Sequence, residues 1–242
     1  MDKDYFLLIS SAKEHIENIK IIQENLQNKD YLYVNLNMEI RYCLSDLQSS
    51  LDYYAYELFM NFQYPKLLDD GLQSDKLGNL QRNVNFPHKY KAYDFQKDVK
   101  KYFKVVDEKN PEFIDFLEKI QPYNFENHSD SWLFVLNKLA NESKHRNLTN
   151  TTKYQNGVIK DFQYAGITMK NVTFENVGEA VNIAGMTLDK ETAQKLGAIF
   201  EGEIQTIAIF EENRKPVVDT LVDLVQNVEN LLIRLNNTIK NS

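Results

Sequence analysis

Ile40-Arg41-Tyr42-Cys43-Leu44-Ser45-Asp46-Leu47-Gln48-Ser49-Ser50-Leu51-Asp52-Tyr53-Tyr54-Ala55-Tyr56-Glu57-Leu58 sets apolar side chains at Ile40, Leu44, Leu47, Leu51, Tyr54 and Leu58. This four-three alternation holds for five steps, and a repeat near 3.6 residues predicts one amphipathic helix. Extended over 35–61, it would be roughly 40 Å long at 1.5 Å per residue. A helix of that kind cannot bury its stripe alone, so partners are expected elsewhere in the chain.

Three other stretches supply them. Tyr5, Leu8, Ala12, Ile16, Ile19 and Leu26 recur at spacings of three, four and seven. Trp132, Leu136, Leu139 and Ser143 continue to about Arg146, with Ser129 and Ser131 as capping residues. After Pro216, the residues Val218, Leu221, Val225, Val228, Leu232 and Leu235 repeat the pattern. Four such stripes predict a helical bundle. Shorter helices are expected over 94–105 and 111–120, the latter ended by Pro122. Pro65, Gly71, Gly78 and Pro87 mark 63–90 as an extended connection.

Between Asn147 and Asn213 the period changes. Thr, Val, Ile and Phe become frequent and glycines punctuate the run. Asn156-Gly157 reads as a hairpin turn, because both positions of such a turn require positive φ. Strands are expected over 167–174, 180–188 and 204–210. The fold class is therefore mainly α, a helical bundle with a small antiparallel β insertion before the C-terminal helix. One domain is expected over 1–242: bundle at 1–146, insertion at 147–214, closing helix at 215–242.

The 242 residues are 43% hydrophobic, 12% aromatic and 26% charged, a composition that excludes a disordered chain. The net charge of −7 removes any general attraction to nucleic acid or anionic lipid, so a polyanion site must be local. DNA and membrane are not expected partners. Cys43 is the only cysteine, which excludes an intrachain disulfide and fits a reducing compartment. No signal peptide or membrane-length apolar run is read, and Lys, Asn and Ile are abundant as in AT-rich genomes. A cytoplasmic bacterial protein is the expectation.

Arg41, Ser45, Gln48 and Asp52 follow at spacings of four, three and four beside the apolar stripe. A polar strip at the edge of a buried face needs partners from a neighbouring helix. Asn141, Lys144, His145 and Arg146 near the end of the third long helix could provide them, with Asp52 as counterion. Two readings stay open: the cations complement the negative end of the helix dipole, or carboxylate, imidazole and cations converge on a phosphate-bearing ligand. His15, His88, His128 and His145 are too scattered for a metal site. No glycine-rich phosphate loop or nucleophile elbow occurs, so no cofactor or metal is expected. Tyr54 lies on the core register, so the Tyr53, Tyr54, Tyr56 cluster reads as packing rather than a base-stacking platform.

Leu51-Asp52, Phe86-Pro87, Gln121-Pro122-Tyr123 and Lys144-His145-Arg146 resemble, in this order, the motifs of a family of uncharacterised bacterial proteins. More distantly, a helical bundle with Arg and His near helix ends resembles the HEPN superfamily. Its catalytic members are metal-independent ribonucleases with four to six residues between an Arg and a His on a helix. Arg82-Asn83 with His88 has that spacing, but Pro87 lies inside it and disfavours helix. In Lys144-His145-Arg146 the Arg follows the His. The resemblance thus implies a HEPN-like fold more directly than a nuclease.

Two functions are carried forward. The first is a non-catalytic binding or regulatory helical module with a protein partner, or pairing as a homodimer. The alternative is a HEPN-like metal-independent ribonuclease or nucleotide-processing effector of a toxin or defence system. There His145 would be acid and base, Lys144, Arg146 and Arg41 would stabilise phosphate charge beside Asp52, and RNA or a nucleotide would be the substrate.

Overall fold

The computed structural model describes residues 3–25, 31–145, 151–178, 181–211 and 213–240. The fold is mainly helical, with a small antiparallel sheet ahead of the last helix. The long stripes form α1 (Asp4–Glu24), α2 (Tyr31–Leu58), α8 (Trp132–His145) and α10 (Val217–Lys240), joined by shorter α3 (Tyr64–Asp69), α4 (Ser74–Asn83), α5 (Ala92–Asp98), α6 (Lys104–Lys109) and α7 (Pro111–Lys119). Leu26, proposed as the last stripe residue of the first helix, lies outside the described residues. Every stripe residue from Ile40 to Leu58 is buried. Ser131 caps α8, its Oγ accepting from the Phe134 N–H at 3.4 Å.

The chain divides into two compact units. The first comprises Met1–Glu14, Arg41–Arg146 and Val222–Ser242, and the second His15–Ile40 and Asn147–Leu221. In the first, α8 packs with the segments of α1, α2 and α10 that belong to this unit. Tyr5 meets Tyr54 edge-on with ring centroids 5.3 Å apart, and its hydroxyl donates to Asn236 Oδ1 at 3.0 Å. Lys13 pairs with Glu229 at 2.7 Å, and Lys144 with Gln48 at 2.6 Å. Two π-helical turns, Phe59–Gln63 and Val99–Phe103, interrupt this unit's helices. Such a turn misaligns the ladder, and here the buried Gln63 Oε1 accepts the Val105 N–H at 3.0 Å.

The second unit holds the sheet, in the order β2 (Ile167–Val177), β1 (Thr151–Tyr164) and β5 (Ile199–Phe210), all antiparallel. Strands β3 (Asn182–Ile183) and β4 (Met186–Thr187) form a separate pair, followed by α9 (Lys190–Lys195). Ile159, Phe162, Leu188 and Ala193 make the core under this layer. Thr151 donates to Asn37 Oδ1 at 2.9 Å, and Gln23 accepts the Ala208 N–H at 3.3 Å.

Three local expectations are corrected. The segment 63–90 contains α3 and α4, because Pro65 occupies the first turn of a helix, where its missing N–H costs nothing. Gly157 does not turn the chain: β1 continues through it, and the hairpin turns at Ala165-Gly166, with φ of 50° and 80°. Gly157 has another task, since a Cβ there would stand 2.5 Å from the Phe174 ring. The expected strand over 180–188 is a short β3–β4 hairpin about Ala184-Gly185, and Ala180 lies outside the described residues.

Candidate functional site

Asp52 sits on the solvent border of the α2 stripe and is half-buried. Its Oδ1 accepts the backbone N–H of Phe86 at 2.9 Å. Burial pushes its carboxyl above the ordinary carboxylate range, while the Phe86 bond and the Lys144 charge pull the other way. Asp52 and Lys144 are thus brought into electrostatic reach, as the strip implied. Arg41 shares the strip but is eleven residues from Asp52, about 16 Å along the helix at 1.5 Å per residue. His145 ends α8; its side chain and the whole of Arg146 lie outside the described residues.

The loop after α4 carries the rest of the site. Pro87 prevents helix here, and two side chains pin the resulting extended segment. Asp52 holds Phe86, and Gln121, fully buried, accepts the Lys89 N–H at 3.0 Å while donating to Pro87 O at 3.1 Å and Leu117 O at 3.0 Å. The Leu-Asp, Phe-Pro and Gln-Pro-Tyr motifs therefore meet around one loop. Between the two pins stands His88. Its Nε2 is buried without a hydrogen-bond partner, and its ring meets Tyr90 edge-on at 5.1 Å. Burial, with Lys89 adjacent, lowers its pKa to about 4, so the imidazole is neutral at neutral pH.

These residues open on a cleft of about 520 Å³. Five carboxamides line it: Gln48 from α2, Asn83 and Asn85 beside the loop, and Asn137 and Asn141 from α8. Asp52 and His88 stand among them, and both also line an adjoining recess of about 20 Å³, the size of one water molecule. The charges at the rim are matched. Lys89 pairs with Asp98 at 2.7 Å, and Lys101 lies 4.6 Å from the centroid of the Tyr102 ring. The π turn Val99–Phe103 sets Lys101 and Tyr102, neighbours in sequence, on the same wall.

Of the residues singled out from sequence, Gln48, Asp52 and Asn141 line the cleft, and Lys144 binds Gln48 at its edge. Asn137 carries no signal in the sequence, while Asn85, His88 and Gln121 stand in the motifs without a place in the polar strip. Arg82-Asn83 with His88 was set aside because Pro87 breaks the helix, yet the broken helix is what carries Asn83 and His88 to one wall.

Among the described residues no cluster of His, Cys, Asp and Glu could hold a metal ion, and no helix is long and apolar enough to cross a membrane. No protein-family model, curated protein or solved structure matches the chain.

Proposed function

We propose that this chain is a binding module whose cleft beside Asp52 and His88 holds a small, uncharged, polar ligand. The observation that carries this reading is the wall chemistry. Five carboxamides offer donors and acceptors, the lysines and aspartates of the wall balance, and His88 is neutral. A phosphate ligand would find no surplus of cations there, whereas a ligand rich in hydroxyl or amide groups would find complementary partners. The motif family it resembles and the HEPN-like comparison are compatible with such a module, cytoplasmic and bacterial, acting through a partner or a second copy.

Saturation-transfer NMR against monosaccharides, nucleosides and free amino-acid amides tests the reading. At least one neutral class should bind, and Asn137→Leu and Asn141→Leu should weaken it about tenfold. Absence of binding by all three classes, or indifference to both variants, overturns it.

One observation favours a second reading. Asn83 and His88, from the Arg82-Asn83 and His88 match to the HEPN-like spacing, share the cleft with Asp52 and a water-sized recess, although Arg82 does not line it. A hydrolytic RNA-processing enzyme would use His88 there as general base. RNA cleavage by purified protein, abolished in His88→Ala while the helical circular dichroism persists, would replace the binding module with this enzyme.

A further inference from the structure

The acidic chain carries one segment of opposite sign. Residues 89–104 hold six lysines against two aspartates, in a protein of net charge −7. The segment folds as α5, the π turn and α6, and its apolar side chains Phe95, Val99, Tyr102 and Phe103 are buried. What remains outside is a ridge of exposed side chains, Tyr93, Lys97, Lys100 and Lys104. Eleven residues separate its ends, with the π turn Val99–Phe103 between α5 and α6. Tyr93, 77% exposed, is the most exposed large apolar side chain among the described residues.

The counter-charges nearby are weak competitors. Asp98 is engaged with Lys89, away from the ridge lysines. Glu108 reaches Lys104 at 3.5 Å, but both are exposed, and a pair of that kind contributes little. Asp94 is exposed beside Tyr93 and leaves the ridge a positive surplus. Exposed lysines in a row with an unburied aromatic ring at one end match a charged backbone bearing planar bases. Phosphates lie along the lysines, and a base stacks on the ring. An anionic membrane could also use the charge and the ring, and is distinguished by the vesicle arm of the test.

We propose that the Tyr93, Lys97, Lys100, Lys104 ridge is a docking surface for single-stranded nucleic acid. None of the four lines the cleft, so the inference does not depend on what the cleft holds.

Fluorescence anisotropy with a labelled oligouridine 12-mer tests it on the whole chain. With three lysines engaged, affinity should fall about 20-fold between 50 and 200 mM salt, from a slope near −0.7 per neutralised phosphate. The triple variant Lys97→Glu, Lys100→Glu, Lys104→Glu should remove binding, and Tyr93→Ala should weaken it about tenfold. If the triple variant loses its helical spectrum, Lys97→Gln and Lys100→Gln should each lower the salt slope by about 0.7. No binding at 50 mM salt, or binding unmoved by the lysine variants, overturns the proposal. It is also overturned if base-free polyphosphate competes equally and Tyr93→Ala is silent. Binding to phosphatidylserine vesicles in place of the oligonucleotide overturns it as well.

Discussion

Asp52 Oδ1 receives the backbone N–H of Phe86 at 2.9 Å, tying the middle of the longest helix to a loop thirty-four residues later. The same carboxylate faces the charge of Lys144. It is therefore both a counterion and a loop anchor, and these roles separate under substitution.

Asp52→Asn keeps an acceptor for Phe86 and loses the charge, whereas Asp52→Ala loses both. An unpaired buried N–H costs about 1–3 kcal/mol. Urea denaturation should show Asp52→Ala less stable than Asp52→Asn by about that amount. Equal stability of the two would mean that the Phe86 bond holds nothing.

Gln121 is fully buried and has three hydrogen bonds to the backbone around the site. Gln121→Leu keeps the volume and strands the Lys89 N–H and the Pro87 carbonyl. A loss of about 2–4 kcal/mol is expected. Amide exchange at Lys89, followed by NMR, should accelerate by about 100-fold even where global stability is partly rescued by a lower temperature.

His88 predicts a pH dependence with a definite sign. Its pKa is about 4 in the folded chain against 6.5 unperturbed, so between these values the unfolded chain binds more protons. Stability should be fully present above pH 6.5 and decline as pH falls toward 4. Asp52, whose pKa is raised, acts in the opposite sense from the ordinary carboxylate range upward, because its folded form takes up a proton more readily. Thermal unfolding of His88→Asn should show a flatter profile than the parent between pH 6.5 and 4. A parallel profile in both proteins would show that His88 is not held neutral.

The long helices were legible because each obeys one period over several turns: Leu44, Leu47, Leu51 and Tyr54 are buried as their spacing implied. The Asp52 strip was legible for the same reason, since its residues border that stripe. The loop was not. Pro65 and Gly78 read as breakers, yet Pro65 starts α3 and Gly78 lies inside α4, where the surrounding chain overrides a cost of about 1 kcal/mol for glycine. The place of His88 was not legible, because the loop that carries it is set by the bonds of Phe86 to Asp52 and of Pro87 and Lys89 to Gln121, partners thirty-odd residues away on either side. No local period records such contacts. The Asn156-Gly157 signal misled because a glycine serves a turn or a close approach equally well.

Gly202 provides a test of that last distinction in the sheet. Its φ is not in the left-handed region, so conformational freedom does not explain it. A Cβ built there would lie 2.2 Å from the Val158 carbonyl oxygen and 3.1 Å from Ile159 Cα, both backbone atoms of the paired strand. Neither can rotate away, and Ile159 belongs to the core of this unit. At Gly157 the closest obstacle is instead the Phe174 ring, a side chain that can be shortened, although the Glu203 carbonyl also lies 2.8 Å away. Gly157→Ala should cost about 1–3 kcal/mol, as for overpacking, and the added substitution Phe174→Leu should recover part of it. Gly202→Ala should cost at least as much, with no rescue by Phe174→Leu. Denaturation of these four proteins, the parent and Phe174→Leu alone measures the coupling, and rescue of Gly202→Ala by Phe174→Leu would show that backbone contact is not what excludes a side chain at Gly202.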